Sequence, residues 1–194
     1  NKNSVLDFSG DISAESISYT NGDKYVIKNT DAKANLSGKL SETQLLANAE
    51  KISLSKNSLE FFDASGKAEI ALDSAAIKNA SGKAKIALPK FMDSAAVSDF
   101  NNILSGLAEV AFTIKDKDLN LSGKLFNLTP KTKAAKIETM DLSTEIKDFY
   151  NLNKATLKTQ IFSKQGNSDI EFQANKQSKN SYTLTLNSKR LECN

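Results

Sequence analysis

Apolar and polar residues alternate along most of this chain. The alternation is clearest in three segments, Ala108 to Ile114, Met140 to Ile146 and Tyr182 to Leu186, where the intervening positions are mostly polar or charged. A period of two places successive side chains on opposite faces of a β-strand. The sequence therefore predicts a mainly β protein whose strands each have one apolar and one polar face.

Turn-forming residues separate these segments. Tight turns favour the residue types found at Asn21-Gly22, Lys56-Asn57-Ser58, Lys115 to Asp118 and Gln165-Gly166-Asn167, which lie between apolar stretches. Pro130 is expected at a sheet edge or in a loop, because proline cannot donate a hydrogen bond to a neighbouring strand. Short turns between consecutive strands predict antiparallel hairpins.

Glycine recurs in a repeated context. Six of the 8 glycines follow a serine, and the first three of these, Gly10, Gly38 and Gly66, are equally spaced. Near copies of one pattern occur at residues 36–40, 64–68, 80–84 and 121–125. We interpret these as degenerate hairpin-like repeats, with a strand bend or β-bulge at each glycine.

One segment has helical spacing instead. After Pro89, apolar residues recur every three to four positions, Asp93 or Ser94 can cap a helix, and Gly106 can end it. This predicts one short helix near residues 93–105. The chain is then a single elongated β domain over 1–194, or two lobes, 1–88 and 107–194, joined by a helical segment 89–106.

A second segment is ambiguous between helix and strand. Ser41 and Gln44 have the spacing of a helix capping box. Ala47, Ala49 and Ile52 nevertheless continue the alternation, which favours a strand.

The apolar faces of so many strands must be buried. Ten or more strands would make a sheet about 50 Å wide, whereas the predicted helix is only about 18 Å long. The expected fold is thus a large curved antiparallel sheet that forms a β-groove or taco, or closes into a barrel or sandwich with a filled core. Small residues at inward positions suit either close sheet packing or room for an acyl chain: Ala32, Ala34, Ala47, Ala49, Ala68 and Ala84.

Composition excludes the commonest enzyme designs. The chain has no histidine, no tryptophan and a single cysteine, Cys193. Ser-His or Cys-His pairs, histidine metal sites and internal disulfides are therefore excluded. Carboxylate pairs such as Glu69 with Asp73, or Glu138 with Asp141, lack an aromatic platform for a sugar. We expect no enzymatic activity, no catalytic or metal-binding residues and no cofactor.

Charge and hydropathy limit the partners. The net charge is +3, and Arg190 is the only arginine among scattered lysines. Nucleic acid is not an expected partner, because arginine provides most bidentate phosphate and guanine contacts. No segment approaches the roughly 18 apolar residues that span a bilayer. The chain begins at Asn1, which is compatible with an amino-terminal signal or membrane anchor that has been removed.

The strand texture resembles a family. Residues 36–40, 121–125, 155–161 and 182–186 resemble the strands of AsmA-like proteins of the bacterial envelope. Residues 12–19 and 46–52 are similar, more weakly, to strands of the lipopolysaccharide-transport β-jelly-roll proteins. The resemblance implies a periplasmic or otherwise extracytoplasmic β-groove, often anchored at its amino terminus, that handles lipid between membranes.

These observations lead to two functional hypotheses. The first is a non-enzymatic envelope module that binds or shields lipid acyl chains, or supports outer-membrane assembly, with lipid or lipopolysaccharide and envelope proteins as partners. The alternative is a structural or adhesive surface domain with a filled core and no lipid ligand. For the first hypothesis, the expected groove lining is Val110, Phe112, Ile114, Leu119, Leu121, Leu142, Ile146, Leu157, Ile161, Ile170, Phe172, Leu184 and Leu186.

Overall fold

The computed structural model describes residues 4–21, 24–89, 91, 103–130, 136–164, 166–179 and 181–189. They form eleven β-strands in one antiparallel sheet, whose spatial order follows the chain from β1 to β11. The strands are β1 (Leu6–Asn21), β2 (Lys24–Leu40), β3 (Gln44–Lys56), β4 (Leu59–Ala71), β5 (Ala76–Ala87), β6 (Ile103–Lys115), β7 (Asp118–Pro130), β8 (Ile137–Lys147), β9 (Lys154–Ser163), β10 (Gly166–Ser178) and β11 (Ser181–Lys189).

The sheet is open. Among the described residues β1 pairs only with β2 and β11 only with β10, so the two ends of the sheet do not join. The prediction of a mainly β, antiparallel fold is confirmed. The described strands form one open sheet, rather than the closed barrel or two-sheet sandwich that the sequence also allowed. The two halves of the chain meet where β5 pairs with β6, from Asn79↔Lys115 to Ala87↔Leu107.

The prediction of a helix near residues 93–105 is wrong for its last three residues. Residues 93–102 lie outside the described part, but residues 103–105 belong to β6, where Ile103 pairs with Pro130 and Ser105 with Thr129. Strand pairing satisfies the backbone there, and the Ser105 hydroxyl donates a hydrogen bond to the Asn127 carbonyl at 3.1 Å. The strand preferred over a helix at residues 44–56 is confirmed as β3.

Two of the predicted turns are observed. Asn57 and Ser58 join β3 to β4 with φ of 51° and 61°, and Asp116 joins β6 to β7 with φ of 56°. These left-handed conformations favour Asn and Asp in tight hairpins. The predicted turn at Asn21-Gly22 includes residue 22, which lies outside the described part. The predicted turn at residues 165–167 includes residue 165, which also lies outside it. Pro130 is the last residue of β7.

The prediction of a bend or bulge at each repeated glycine is wrong at several positions. Gly38, Gly82 and Gly123 sit in continuous cross-strand register, whereas the β3–β4 pairing shifts beside Gly66, between Ala49 and Ile52. The structure gives another reason for glycine at Gly38 and Gly82. An aromatic ring from the next strand lies over each of them, and a side chain would collide with it.

The register separates apolar from polar side chains along the middle of the strands, although the polar face also carries Leu107, Phe126 and Phe162 near one end of the sheet. Directly paired residues point to the same face, so cross-strand partners form continuous rows. One row is apolar in all eleven strands and consists of Phe8, Gly38, Ala47, Ala68, Ala80, Ile114, Leu119, Ile146, Ala155, Ala174 and Leu184. The next row on the opposite face is polar throughout: Ser9, Ser37, Asn48, Lys67, Ser81, Thr113, Asn120, Glu145, Thr156, Gln173 and Thr185.

The apolar side chains are only partly buried. Among the described residues, the buried apolar side chains are Phe61, Ala71 and Ala108. The chain has a solvent-accessible surface of 13192 Å², against about 9000 Å² for a compact monomer of this mass. The described part of the sheet therefore lacks the second layer that normally covers the apolar face of a β-sheet.

Candidate functional site

The candidate site is the apolar face, which we define by three parallel rows of side chains. The first runs from Phe8 to Leu184, as given above. The second lies two residues further along each strand and contains Gly10, Leu36, Ala49, Gly66, Gly82, Phe112, Leu121, Thr144, Leu157, Phe172 and Leu186. The third contains Ile12, Ala34, Ile52, Ala64, Ala84, Val110, Gly123, Leu142, Thr159, Ile170 and Ser188.

All thirteen residues predicted to line a groove lie on this face. Twelve belong to the three rows, and Ile161 follows in the adjoining row, where it pairs with Met140. They come from β6 to β11 and form one surface. That they contact lipid stays a prediction.

The first half of the sheet continues the same face, which the predicted lining residues did not include. Its rows contain mostly alanine and glycine in β3, β4 and β5, with Ile52 as the larger exception. Alanine and glycine are only weakly hydrophobic, so hydrophobicity alone does not identify them as lining residues. The alternation of Ala47 with Ala49, and of Ala64 with Ala68, was the available signal.

Side-chain size divides the apolar face into two regions. On β3 to β5 the apolar face consists mainly of alanine and glycine, and we call this shallow region the low floor. On β6 to β11 the same face carries larger side chains such as Leu121, Leu142 and Phe172. Two aromatic rings flank the low floor. The Phe8 ring lies against Gly38, and the Phe112 ring lies against Gly82.

One end of the sheet is better packed than the rest. The Phe61 and Phe91 rings meet edge to face, with centroids 6.3 Å apart, and Phe61 is only 3% exposed. A methyl group placed on Gly106 would lie 3.1 Å from both Leu88 Cδ1 and Leu128 Cδ1. Leu88 and Phe91 therefore help to cover this end, while the three rows remain half-buried or exposed.

The exposed apolar area of the three rows is larger than the apolar patches found on typical monomers. Eleven strands span about 48 Å and three rows about 20 Å along the strands, which gives roughly 1000 Å² of mostly apolar surface. The largest apolar patch on a typical monomer is about 300–600 Å². Individual exposures support this reading, since Phe112 and Leu157 in the middle of the face are each 37% exposed.

The polar face carries ion pairs that neutralise one another. Lys85 and Glu109 are 2.8 Å apart across β5 and β6, and Lys124 and Asp141 are 3.5 Å apart across β7 and β8. The hydrogen bond to Glu109 raises the pKa of Lys85. Charges of both signs alternate from strand to strand, so this face offers no concentrated field to a charged ligand.

Lys147 contacts two carboxylates on this face. Its Nζ is 2.8 Å from Asp118 Oδ2 and 2.8 Å from Glu145 Oε1. The hydrogen bonds to Asp118 and then Glu145 raise the pKa of Lys147. The hydrogen bond from Lys147, followed by one from the Asp148 backbone N–H, lowers the pKa of Asp118. These groups form a solvent-exposed structural network.

A groove of about 1010 Å³ also crosses β1 to β6 on the polar face. Its lining combines the Phe8 to Ile114 part of the first apolar row with polar rows on both sides, but omits the apolar residues two positions away, such as Ile70 and Phe112. The groove thus lies between rows of polar side chains. Its carboxylates are already engaged: Glu69 accepts hydrogen bonds from Gln44 and Asn79 at 2.5 and 2.9 Å. We therefore place the candidate site on the apolar face.

Within the described ranges, no group of three or more Cys, Asp or Glu side chains is arranged to hold a metal ion. The same part of the chain contains no helix that is both long and apolar enough to cross a bilayer.

Comparison with protein-family models, with curated proteins and with solved structures gives no match to this chain. The resemblance to AsmA-like proteins therefore stays a prediction.

Proposed function

We propose that this chain is a non-enzymatic β-groove module of the bacterial envelope that binds lipid acyl chains on its apolar face. The observation that carries the proposal is the three rows of mostly apolar side chains, in which Thr144, Thr159 and Ser188 are the polar members. The rows cross all eleven strands, and the described residues leave them half-exposed. Acyl chains are long, flexible and apolar. They match a surface that is continuous, nearly free of polar groups and much longer than one side chain.

Apolar burial provides the driving force. Each buried methylene contributes about 0.8 kcal/mol, so a sixteen-carbon chain with one side in contact gains at most about 6 kcal/mol. This corresponds to a dissociation constant of some tens of micromolar for one chain. A lipid with several acyl chains would bind more tightly, because the rows extend across eleven strands.

In this proposal the polar face and the turns of the protein stay in water. The lipid headgroup also stays in water, because only the acyl chains contact the apolar face. The protein would act in the periplasm, with lipid or lipopolysaccharide as cargo. A membrane anchor preceding Asn1 and contacts with other envelope proteins belong to the same proposal, as does support of outer-membrane assembly. The AsmA-like resemblance of the strands motivates this location.

The test is a titration with cis-parinaric acid, a fluorescent fatty acid, on the wild type and two variants of equal charge change. Leu157→Asp places a carboxylate in the middle of the apolar face. Ser143→Asp places one on the polar face of the adjacent strand, opposite Lys158. We expect the wild type and Ser143→Asp to bind alike and Leu157→Asp to bind at least tenfold more weakly.

Circular dichroism of each variant establishes that the sheet is retained. Equal binding by the two variants would show that the probe does not use the apolar face. Absence of binding to the wild type up to millimolar probe would overturn the proposal and favour the structural or adhesive alternative.

A further inference from the structure

The last strand is an edge without protection against pairing. Among the described residues, β11 has hydrogen-bond partners on its β10 side only, and all nine of its residues are exposed. It contains no proline or glycine, and its only charge, Lys189, is its last residue. Natural sheets usually block such an edge with central charges, proline or a bulge. Leu184 and Leu186 are instead 63% and 67% exposed on its apolar face.

The opposite edge is protected. β1 has register shifts between Ala14 and Thr20, and Ser16 has a φ of 52° within them. Its polar side carries Asp7, Asp11 and Glu15. Because bulges distort the ladder and repeated carboxylates repel a like strand, β1 is a poor template for pairing.

The sequence of β11 is self-complementary about Thr185. Antiparallel pairing of two copies on that centre places Thr185 opposite Thr185, and Leu184 opposite Leu186 of the second copy. Thr183 then faces Asn187, and Lys189 faces the uncharged Ser181. Cross-strand Thr pairs and aliphatic pairs stabilise antiparallel strands, and this register brings no like charges together.

We propose that two copies of this chain associate through β11, in antiparallel register about a twofold axis at Thr185. A nine-residue antiparallel pair forms about eight to ten backbone hydrogen bonds, which is within the number found in stable protein interfaces. An axis perpendicular to the sheet keeps both apolar faces on the same side. The dimer therefore carries one continuous apolar face across twenty-two strands, and its existence does not depend on lipid binding.

Two other pairings use the same edges less well. Pairing of β1 with β1 would bring the carboxylates of Asp7 and Asp11 close to those of the second copy. With the apolar faces on the same side, pairing of β11 with β1 of the next copy would be parallel, because β1 and β11 run in the same direction. Parallel pairing is slightly less stable per residue, and that contact does not close, so it generates filaments.

The first experiment is sedimentation of the 194-residue chain and two lysine variants over a range of concentrations. We expect the wild type to have twice the monomer mass at high concentration. Thr185→Lys, which sets two ammonium groups against each other at the axis, should remain a monomer. Ser9→Lys lies in the same cross-strand row at the other edge and should dimerise like the wild type.

The second experiment fixes the register by cross-linking, with Cys193→Ser as the background and a short bismaleimide as the reagent. Thr185→Cys should yield covalent dimers, and Ser9→Cys should not. The variant with both cysteines should also stop at the dimer. A ladder of multimers from the double variant would establish head-to-tail pairing, and a wild type that stays monomeric would exclude the interface. Either result overturns the proposal, even if Thr185→Lys were to misfold.

Discussion

A substitution at Gly38 tests whether close contacts with the neighbouring strands, rather than a bend, explain glycine within the strands. Gly38 pairs with Phe8 on one side and Ala47 on the other. A methyl group built on its Cα would overlap the Leu46 carbonyl oxygen and lie 2.5 Å from Phe8 Cζ. The Phe8 ring can move away, but the backbone oxygen belongs to the β2–β3 ladder. Gly38→Ala must therefore distort the pairing of β2 with β3.

The expected cost follows from two opposing terms. Replacing glycine by alanine in a strand without strain stabilises a protein by about 0.4–1 kcal/mol, because the unfolded chain loses freedom. Overpacking costs about 1–3 kcal/mol. Gly123 is the matched control, since a methyl group there meets its nearest atoms at 3.7 Å, an ordinary contact distance. We expect Gly38→Ala to be destabilising by about 1–2 kcal/mol and Gly123→Ala to be neutral or stabilising.

Urea unfolding followed by far-ultraviolet circular dichroism measures both variants against the wild type. A change in midpoint with an unchanged slope identifies a change in stability rather than in the denatured state. For a chain of this length, 1–2 kcal/mol corresponds to a decrease of about 2–8 °C in melting temperature. The reasoning fails if Gly38→Ala proves as stable as Gly123→Ala.

Two further predictions concern packing and acid titration. Phe61→Ala removes a side chain that is 3% exposed and should cost about 3–5 kcal/mol, whereas Phe8→Ala, at 39% exposure, should cost much less; equal urea midpoints for the two would refute this. The lowered pKa of Asp118 means that its carboxylate stabilises the fold fully above its ordinary value of about 3.9 and loses this effect as the pH falls through the lower folded value. Lys147→Met should move the pKa of Asp118 up toward its ordinary value in a carboxyl NMR titration, and an unchanged pKa would contradict the assignment of Lys147 as the main cause.

The sequence predicts which side chains share a face of the sheet better than it predicts whether the sheet closes into a barrel. Alternation in segments such as Ala108 to Ile114 is local, and it indicates correctly which side chains share a face. Whether β1 meets β11 depends on the twist and register accumulated over ten pairings, which no local pattern encodes. The spacing of Phe100, Ile103 and Leu107 suits a helix, but pairing with β7 determines the conformation from Ile103 onward.

The lining of the candidate site was predicted residue by residue in its second half, whereas in its first half only some inward alanines were identified. Large residues such as Phe112, Leu121 and Phe172 stand out in the sequence as apolar strand positions. Alternation places Ala47 and Ala68 at inward positions but does not identify Ala80, because alanine is nearly neutral in hydropathy and common in helices. Only the register, which aligns them with Ile114 and Leu119, shows that they extend the same face.

The open face has a consequence for stability as well as for binding. Domains usually bury the apolar side of a sheet against a second layer, and here the described residues supply only local cover near Phe61 and Phe91. A lipid on the apolar face would replace part of that layer. A ligand that binds only the folded chain stabilises it by about 2.7 kcal/mol when present at one hundred times its dissociation constant. Under the proposed function, acyl chains are thus part of what holds the sheet together, and the melting temperature should rise with lipid concentration in the wild type and in Ser143→Asp, but much less in Leu157→Asp.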